Sequence, residues 1–317
     1  MATALSPSDF IDLFTKLGAT KTAQMVGLSE RQVYARRARL QTKMGRTISA
    51  PSRQGQSTVA NYTVRTELKL KDGIVLVGSD AHYWPGEPSA AHRAYVKFCK
   101  DLKPNIVILN GDVLDGASIS RHPPIGWESR PSLIEEIEAV KLRTGEIRKA
   151  LAGSKTKLIW TLGNHDGRFE TRLATVAPEY ARVHGVHLKD HFPEWTPAWS
   201  AWINDKIVIK HRYNSGVHAT HNNTVKSGKS IATGHLHSLK VTPYTDYNGT
   251  RFGIDTGTLA VPAGPQFVDY CEDNPVNWRS GFILLTFKNY ELLWPEIIHV
   301  RNERAGEVEF RGKVYKV

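Results

Sequence analysis

The 317-residue chain is long enough for one large domain or two smaller ones, and 40% hydrophobic content with eight Trp allows a sizeable core. It holds no run of 18 apolar residues and no basic start followed by an apolar stretch, which excludes a transmembrane helix and sets the expectation of a cytoplasmic protein with no membrane partner. The net charge of +11 is uneven: residues 1–57 carry nine Lys/Arg against three acids, a net +6, which points to a polyanion partner, most simply nucleic acid.

The first segment reads as helices. In "SPSDFIDLFTKLG", Phe10, Ile11, Leu13, Phe14 and Leu17 recur on a helical period, with Ser8 as the expected cap and Gly18 as a stop. A short helix over 21–26 then meets a turn at Gly27, and Ser29 caps a second helix over 30–41. Ala23, Val26, Leu28, Val33 and Leu40 are the expected core. Arg31, Gln32, Tyr34, Arg36, Arg37 and Arg39 are expected to face outward. Two short helices joined at a glycine, the second rich in Arg, resemble a helix-turn-helix that lays its second helix in the major groove of DNA. A helical hairpin used for dimerisation is the alternative. Residues 1–44 are therefore assigned to a helix-turn-helix domain that is expected to bind DNA. "KMGRTISAPSRQGQST" lacks an apolar period, so residues 45–58 read as a basic linker.

Residues 59–317 are expected to form the catalytic domain. The runs "GIVLVGSDAH", "NIVILNGDVLD" and "KLIWTLGNHD" read as buried strands that end in polar residues, with helical stretches between them. One stretch covers residues 90–103. Another begins at Ser132, which forms a capping box with Glu135 and is followed by Ile134, Ile137, Val140, Ile147 and Leu151 near helical spacing. The second half is strand-rich, with a hairpin expected at Asn248-Gly249. The two cysteines, Cys99 and Cys271, suit a reducing compartment and offer no thiolate zinc pattern.

The strand ends carry the chemistry. Strands that stop at one edge deliver their last residues to a common crevice. At those ends stand Asp80 and His82, then Asp112 and Asp115, then Asn164, His165 and Asp166, and later His211, His235 and His237. Carboxylates, imidazoles and one amide, without thiolates, suit Mn, Fe, Zn or Ni rather than calcium or a structural zinc. Seven such groups can hold two divalent metals, a standard device for in-line displacement at phosphorus. An alkoxide leaving group also needs a proton, which an imidazole can give.

"SDAH", "GDVLD", "GNHD", the strand-end His of "VIKH" and "GHLH" resemble, in order, the five signature blocks of the calcineurin-like metallophosphoesterases. The resemblance implies a four-layer α/β/β/α sandwich with a dimetal site at the strand ends. It implies that Asp80, His82 and His237 bind one metal, that Asn164, His211 and His235 bind the other, and that Asp112 bridges. It implies a metal-bridging hydroxide attacking in line, with His165 as proton donor and Asp166 or Asp115 orienting it. Mn is the expected metal, with Fe, Zn, Ni or Mg as alternatives. The fourth block departs from the family by reading "KHRYN", which leaves His218 and His221 as fallback ligands. Gly116 stands where the serine/threonine phosphatases have Arg-Gly, which weighs against a protein phosphatase. Arg121, His122 and Arg168 are candidate substrate contacts, as are Tyr83 and Trp84 beside "SDAH".

A helix-turn-helix tethered by a linker raises the local concentration of DNA at such a site. The expected function is a DNA-directed phosphodiesterase, a nuclease or end-processing enzyme. The joined architecture resembles phosphoesterases encoded by bacteriophages, which would work in the host cytoplasm. The alternatives are a phosphomonoesterase whose N-terminal helices serve assembly, and a DNA-binding regulator with a decayed core.

Overall fold

The computed structural model describes residues 5–45, 47, 48, 50, 62–121, 130–271 and 274–317. The chain divides into two compact units, Met1–Asn61 and Tyr62–Val317.

The first unit holds α1 (Pro7–Val26) and α2 (Glu30–Met44). Gly18 interrupts α1 with φ 75° and ψ 178°, a conformation open to glycine and closed to other residues, so α1 is two helical stretches. Ser6, rather than Ser8, caps the start: its hydroxyl accepts from Asp9 N at 3.1 Å, and Pro7 fills the first helical position, where a missing N–H costs nothing. Gly27 closes α1 in a left-handed turn. Ser29 and Gln32 form a capping box that starts α2. Phe10, Phe14, Ala19, Ala23 and Val33 build a small core, with Leu28 and Leu40 partly buried against it. Ile48 joins that core, and its N–H donates to Gln41 Oε1 at 3.1 Å, so the start of the expected linker folds back onto the helices. Residues 51–58 of that linker lie outside the described residues.

The second unit runs β1 (Thr66–Leu68), β2 (Gly73–Gly78), α3 (Ala90–Leu102), β3 (Ile106–Asn110), α4 (Leu133–Ala150), β4 (Lys157–Thr161), α5 (Asp166–Val176), α6 (Leu188–His191), β5 (Thr196–Ala198), β6 (Ala201–Ile203) and β7 (Ile207–Ile209). It continues with α7 (Ala219–Ser227), β8 (Ser230–Thr233), β9 (Lys240–Asp246), β10 (Gly249–Asp255), α8 (Val268–Cys271), β11 (Gly281–Lys288), β12 (Glu291–Leu292), β13 (Glu296–Asn302), β14 (Glu307–Phe310) and β15 (Lys313–Lys316). Among the described residues these strands form two sheets. One runs β15-β14-β13-β11-β2-β3-β4-β5 with β12 on β11, and the other runs β1-β6-β7-β8-β10-β9.

The period of two along each strand sorts the layers. Val75, Val77, Ile106, Ile108 and Ile159 of the first sheet meet Ile203, Ile207, Ile209 and Ile254 of the second in one buried cluster. The alternate residues Leu76, Val107, Leu109 and Trp160 join a separate cluster with Tyr95 and Phe98 of α3 and Ile137, Val140 and Ile147 of α4. On the far side of the second sheet α7 packs so closely on β10 that a Cβ on Gly253 would lie 1.9 Å from Thr220 O. The result is the expected four-layer sandwich. Ile134, placed by its spacing near the apolar face of α4, is instead exposed. The β9–β10 hairpin turns on Tyr247 and Asn248, with Asp246 paired to Gly249.

Candidate metal centre

Strands β2, β3 and β4 are parallel neighbours, so the segments that follow them leave from one edge. They carry Asp80 and His82, Asp112 and Asp115, and Asn164 to Asp166. In the second sheet β7 and β8 are also parallel and are followed by His211 and by His235 and His237. Among the described residues three sets of facing groups result, Asp80–His82–His237, Asp112–His211–His235 and His82–Asp115–His165, and within each set the candidate ligand atoms lie within 4.8 Å of one another. Asn164 sits in the same turn, between Gly163 and His165. His218 and His221, the fallback ligands, belong to none of these sets; the His221 ring lies against Tyr244.

The backbone is strained where the ligands stand. Asp80, His82, Asp112, His235 and His237 have φ of 50°, 39°, 49°, 72° and 54°. Such left-handed conformations are uncommon for residues with a Cβ and persist where the surroundings enforce them. The neighbouring glycines permit the close approach. A Cβ on Gly163 would lie 2.0 Å from Asp112 Oδ1, and one on Gly234 would lie 2.4 Å from Asp80 Oδ2.

The donor set fits metal ions by a direct sign: buried polar atoms without hydrogen-bond partners. These include His82 Nε2, Asn164 Oδ1, His211 Nε2 and His237 Nδ1. Orphaned buried polar atoms are costly unless something absent from the protein chain engages them. His211 Nε2 lies 3.0 Å from Asp112 Oδ2 and 3.9 Å from Asp80 Oδ1, yet makes no aligned hydrogen bond to either. His237 Nε2 lies 3.0 Å from Asp80 Oδ1.

The opposite edges of the imidazoles are held by the protein. His211 Nδ1 lies 2.8 Å from Asn110 O, which fixes Nδ1 as the donor and leaves Nε2 free. His82 Nδ1 lies 2.7 Å from Asp115 Oδ1. Asp115 also holds His165, whose Nδ1 lies 2.9 Å from Asp115 O and 3.0 Å from Asp115 Oδ1. His165 N donates to Asp112 Oδ1 at 2.8 Å, and its Nε2 looks toward Asp112 Oδ2 at 3.9 Å. One carboxylate thus aims a candidate ligand and the candidate proton donor together.

The electrostatics follow. Burial pushes the Asp115 carboxyl up, but hydrogen bonds from His165 and His82 outweigh it and hold it well below the carboxylate range. Burial pushes His165 down, but the charges of Asp112 and Asp115 outweigh it and raise the imidazole above its ordinary value.

Asp166 has a different task from the expected one. Its carboxylate accepts from Asp112 N at 2.9 Å, Val113 N at 3.0 Å, Leu114 N at 3.1 Å and Gly163 N at 2.8 Å, and from Trp160 Nε1 at 3.0 Å. It ties two strand-end turns together. Of the two residues read as orienting His165, Asp115 makes the contact.

Arg168 lies at the site. Its NH1 donates to Asp115 O and its NH2 to His165 Nε2, each at 3.1 Å. Arg121 is exposed, and His122 lies outside the described residues. Tyr83 is buried, with its hydroxyl 2.8 Å from His92 Nδ1. Trp84 is half-buried and lines a cavity that reaches His82.

The residues read as DNA contacts divide in two. Gln32 is taken by the cap, its Oε1 accepting from Ser29 N at 2.9 Å. Arg36 sits over the Phe10 ring at 4.6 Å and Arg37 over Phe14 at 5.4 Å, so both complete the core of their own unit. Arg31, Tyr34 and Arg39 are exposed.

Several residues at the site have no signal in the strand-end pattern. Trp278 lies with its ring 4.5 Å from that of His237, and Phe267 lies 5.0 Å from His82, so two aromatic rings wall the first ligand set. Glu136 of α4 is buried behind Asp115 and accepts from Gly116 N at 2.6 Å and Ala117 N at 3.0 Å. Burial, and then the charge of Asp115, raises its carboxyl from the usual 4.5 to about 7. A value raised in the fold contributes stability below about 4.5 that is lost as pH climbs through about 7. Between those limits the metal-free wild type is therefore expected to lose roughly 3 kcal/mol relative to Glu136→Gln, read from urea midpoints at each pH. Parallel pH profiles for the two proteins would contradict it.

A four-layer sandwich whose two sheets bring carboxylates and imidazoles to one crevice is the architecture of a metal-dependent phosphoester hydrolase. Residues 74–248 match the family model for calcineurin-like phosphoesterases, and the chain belongs to that family, whose members bind divalent metal ions. No curated protein matches the chain. Among solved structures it is similar to a single mutant of Vps29 from Entamoeba histolytica, with 14% identity over 77% of this chain and 99% of that one and a TM-score of 0.41. It is similar to wild-type Vps29 complexed with zinc from the same organism, with 15% identity over 74% and 96% and a TM-score of 0.40. It is also similar to a protein serine/threonine phosphatase from Saccharomyces cerevisiae that resembles human PP5, with 11% identity over 86% and 96% and a TM-score of 0.37. No helix among the described residues is long and apolar enough to cross a membrane.

Proposed function

We propose that the chain is a DNA-directed phosphodiesterase, a nuclease or DNA end-processing enzyme. Asp80, His82 and His237 would hold one divalent ion, Asn164, His211 and His235 a second, and Asp112 would be shared; Mn suits this set of oxygen and imidazole donors. Bound there, the ions would supply Lewis-acid charge to the phosphoryl oxygens and make water a better nucleophile at neutral pH.

The chain's own residues do the rest. Arg168, already beside His165, turns its guanidinium to a non-bridging phosphate oxygen. His165, held through Nδ1 by Asp115, takes up a proton at Nε2 once Arg168 has turned away, favoured by the charges of Asp112 and Asp115, and delivers it to the departing alkoxide. Asp166 keeps the two turns in register while the charge changes. The tie from Asp115 to both His82 and His165 supports phosphoester hydrolysis over a decayed core, since it aims two side chains that a binding protein would not need.

The DNA part rests on the N-terminal unit. Its second helix exposes Arg31, Tyr34 and Arg39, and residues 1–57 carry a net +6. A helix-turn-helix joined to this core resembles phosphoesterases of bacteriophages, which would place the enzyme in the host cytoplasm. Removing residues 1–57 is expected to leave Mn-dependent hydrolysis of bis(p-nitrophenyl) phosphate within about twofold. It should weaken DNA binding at least tenfold and flatten its dependence on salt, read by fluorescence anisotropy across a salt series. Unchanged DNA affinity would assign the helices to assembly. A substrate panel of single- and double-stranded DNA, RNA, nucleotides and phosphopeptides tests the chemistry, and turnover of monoesters alone would replace this reading with a phosphomonoesterase.

A further inference from the structure

A cavity of about 220 Å³ opens beside His82, with Trp84, Pro85, Pro88, Val261, Pro265 and Gln266 in its lining. We propose that it receives a single nucleobase next to the scissile phosphate, with the base against the Trp84 indole and its polar edge on the Gln266 carboxamide. This assignment rests on the phosphodiesterase reading of the metal centre and names the local form of its substrate.

Size is the first reason. The cavity is smaller than the ~300–1,000 Å³ that drug-sized ligands occupy, so it admits one ring system and no stacked pair. Its chemistry is the second. An indole and three prolines offer flat apolar faces, and stacking on such a face accepts any base. Gln266 brings one amide donor and one acceptor, the complement of a base edge. Its Nε2 lies 3.5 Å from His82 O, a distance at which it loses little by turning to a ligand.

The wall is built in advance. Arg143 NH2 donates to Gly86 O at 2.6 Å, which pins the loop that carries Trp84. Arg143 NH1 is in turn held by Glu146 Oε1 at 2.7 Å, and Glu146 Oε2 lies 2.7 Å from His92 Nε2. The Tyr83 hydroxyl closes the chain on His92 Nδ1 at 2.8 Å. This series, buried except at Glu146, has no part in the metal chemistry. It holds a loop open, so a ligand does not have to order it.

A base that enters such a cavity has left its stack. The scissile nucleotide must therefore be single-stranded, at a frayed end or flipped, and an intact duplex interior is a poor substrate.

Calorimetric titration of the Mn-loaded full-length chain with thymidine 3′- and 5′-monophosphate and with methyl phosphate tests this. At least one nucleotide should bind about tenfold tighter than methyl phosphate, the size of one base–aromatic stack. Trp84→Ala should collapse that difference, and Gln266→Ala should reduce it. Equal affinities in the wild type, or a difference that survives both substitutions, would overturn the assignment. Failure to hydrolyse bis(p-nitrophenyl) phosphate would instead overturn the phosphodiesterase reading, so the two failures are separable.

Discussion

His165→Ala is expected to lower phosphodiester turnover roughly 10²–10⁴-fold, the usual worth of a positioned general acid, while the metals stay bound. His165 is buried with Nδ1 on Asp115 and Nε2 facing Asp112; it belongs to neither of the sets that join the two sheets, and in its set with His82 and Asp115 its Nδ1 is already engaged by the Asp115 carboxylate and carbonyl. Removing it should therefore spare metal stoichiometry. The loss should depend on the leaving group. p-Nitrophenoxide departs without a proton far more readily than a sugar alkoxide, so a dinucleotide should suffer more than bis(p-nitrophenyl) phosphate. Equal losses on both would mean that His165 binds the phosphate and does not move a proton.

Asp115→Asn is the second large effect, and it should strike both functions of the crevice. Asp115 aims His82 through Nδ1 at 2.7 Å and His165 through Nδ1 at 3.0 Å. Losing the carboxylate behind a ligating imidazole typically costs 10–100-fold in metal affinity. An amide in the same place can also present its NH2 to an imidazole N–H, and the wrong tautomer at a comparable carboxylate–histidine pair costs about 10⁴-fold in turnover. Metal binding by calorimetry should weaken about 10–100-fold, and turnover at saturating metal should still be down by about 10³-fold or more. If saturating metal restored full turnover, Asp115 would be a metal-affinity residue alone.

The catalytic layers were legible because buried strands write long apolar runs and the crevice residues follow directly after them. Val75, Val77, Ile106 and Ile108 mark the strands, and Asp80, Asp112 and Asn164 stand just past their ends. His211 was legible in the same way, as the histidine after "KIVIK". What escaped was every contact decided by direction. Adjacency in "GNHD" suggests that Asp166 serves His165, yet the turn sends the two side chains apart, and Asp166 binds the backbone of residues 112–114. Asp115 reaches His165 across 50 residues of sequence. Phe267 and Trp278 arrive at the crevice from segments with no strand-end pattern. In the first unit an Arg-rich helix face reads as solvated, but Arg36 and Arg37 cover Phe10 and Phe14 with their guanidinium planes. A small core with few apolar residues recruits such stems and planes, and composition alone does not reveal which ones.

The dependence of bis(p-nitrophenyl) phosphate hydrolysis on Mn, measured on full-length protein first stripped by chelation, tests the central claim most directly. The metal centre described above predicts no turnover in the stripped protein and a rate that rises to a plateau as two equivalents of Mn bind per chain. Diester turnover that persists without metal, or its absence at every Mn concentration while a monoester is hydrolysed, would contradict it.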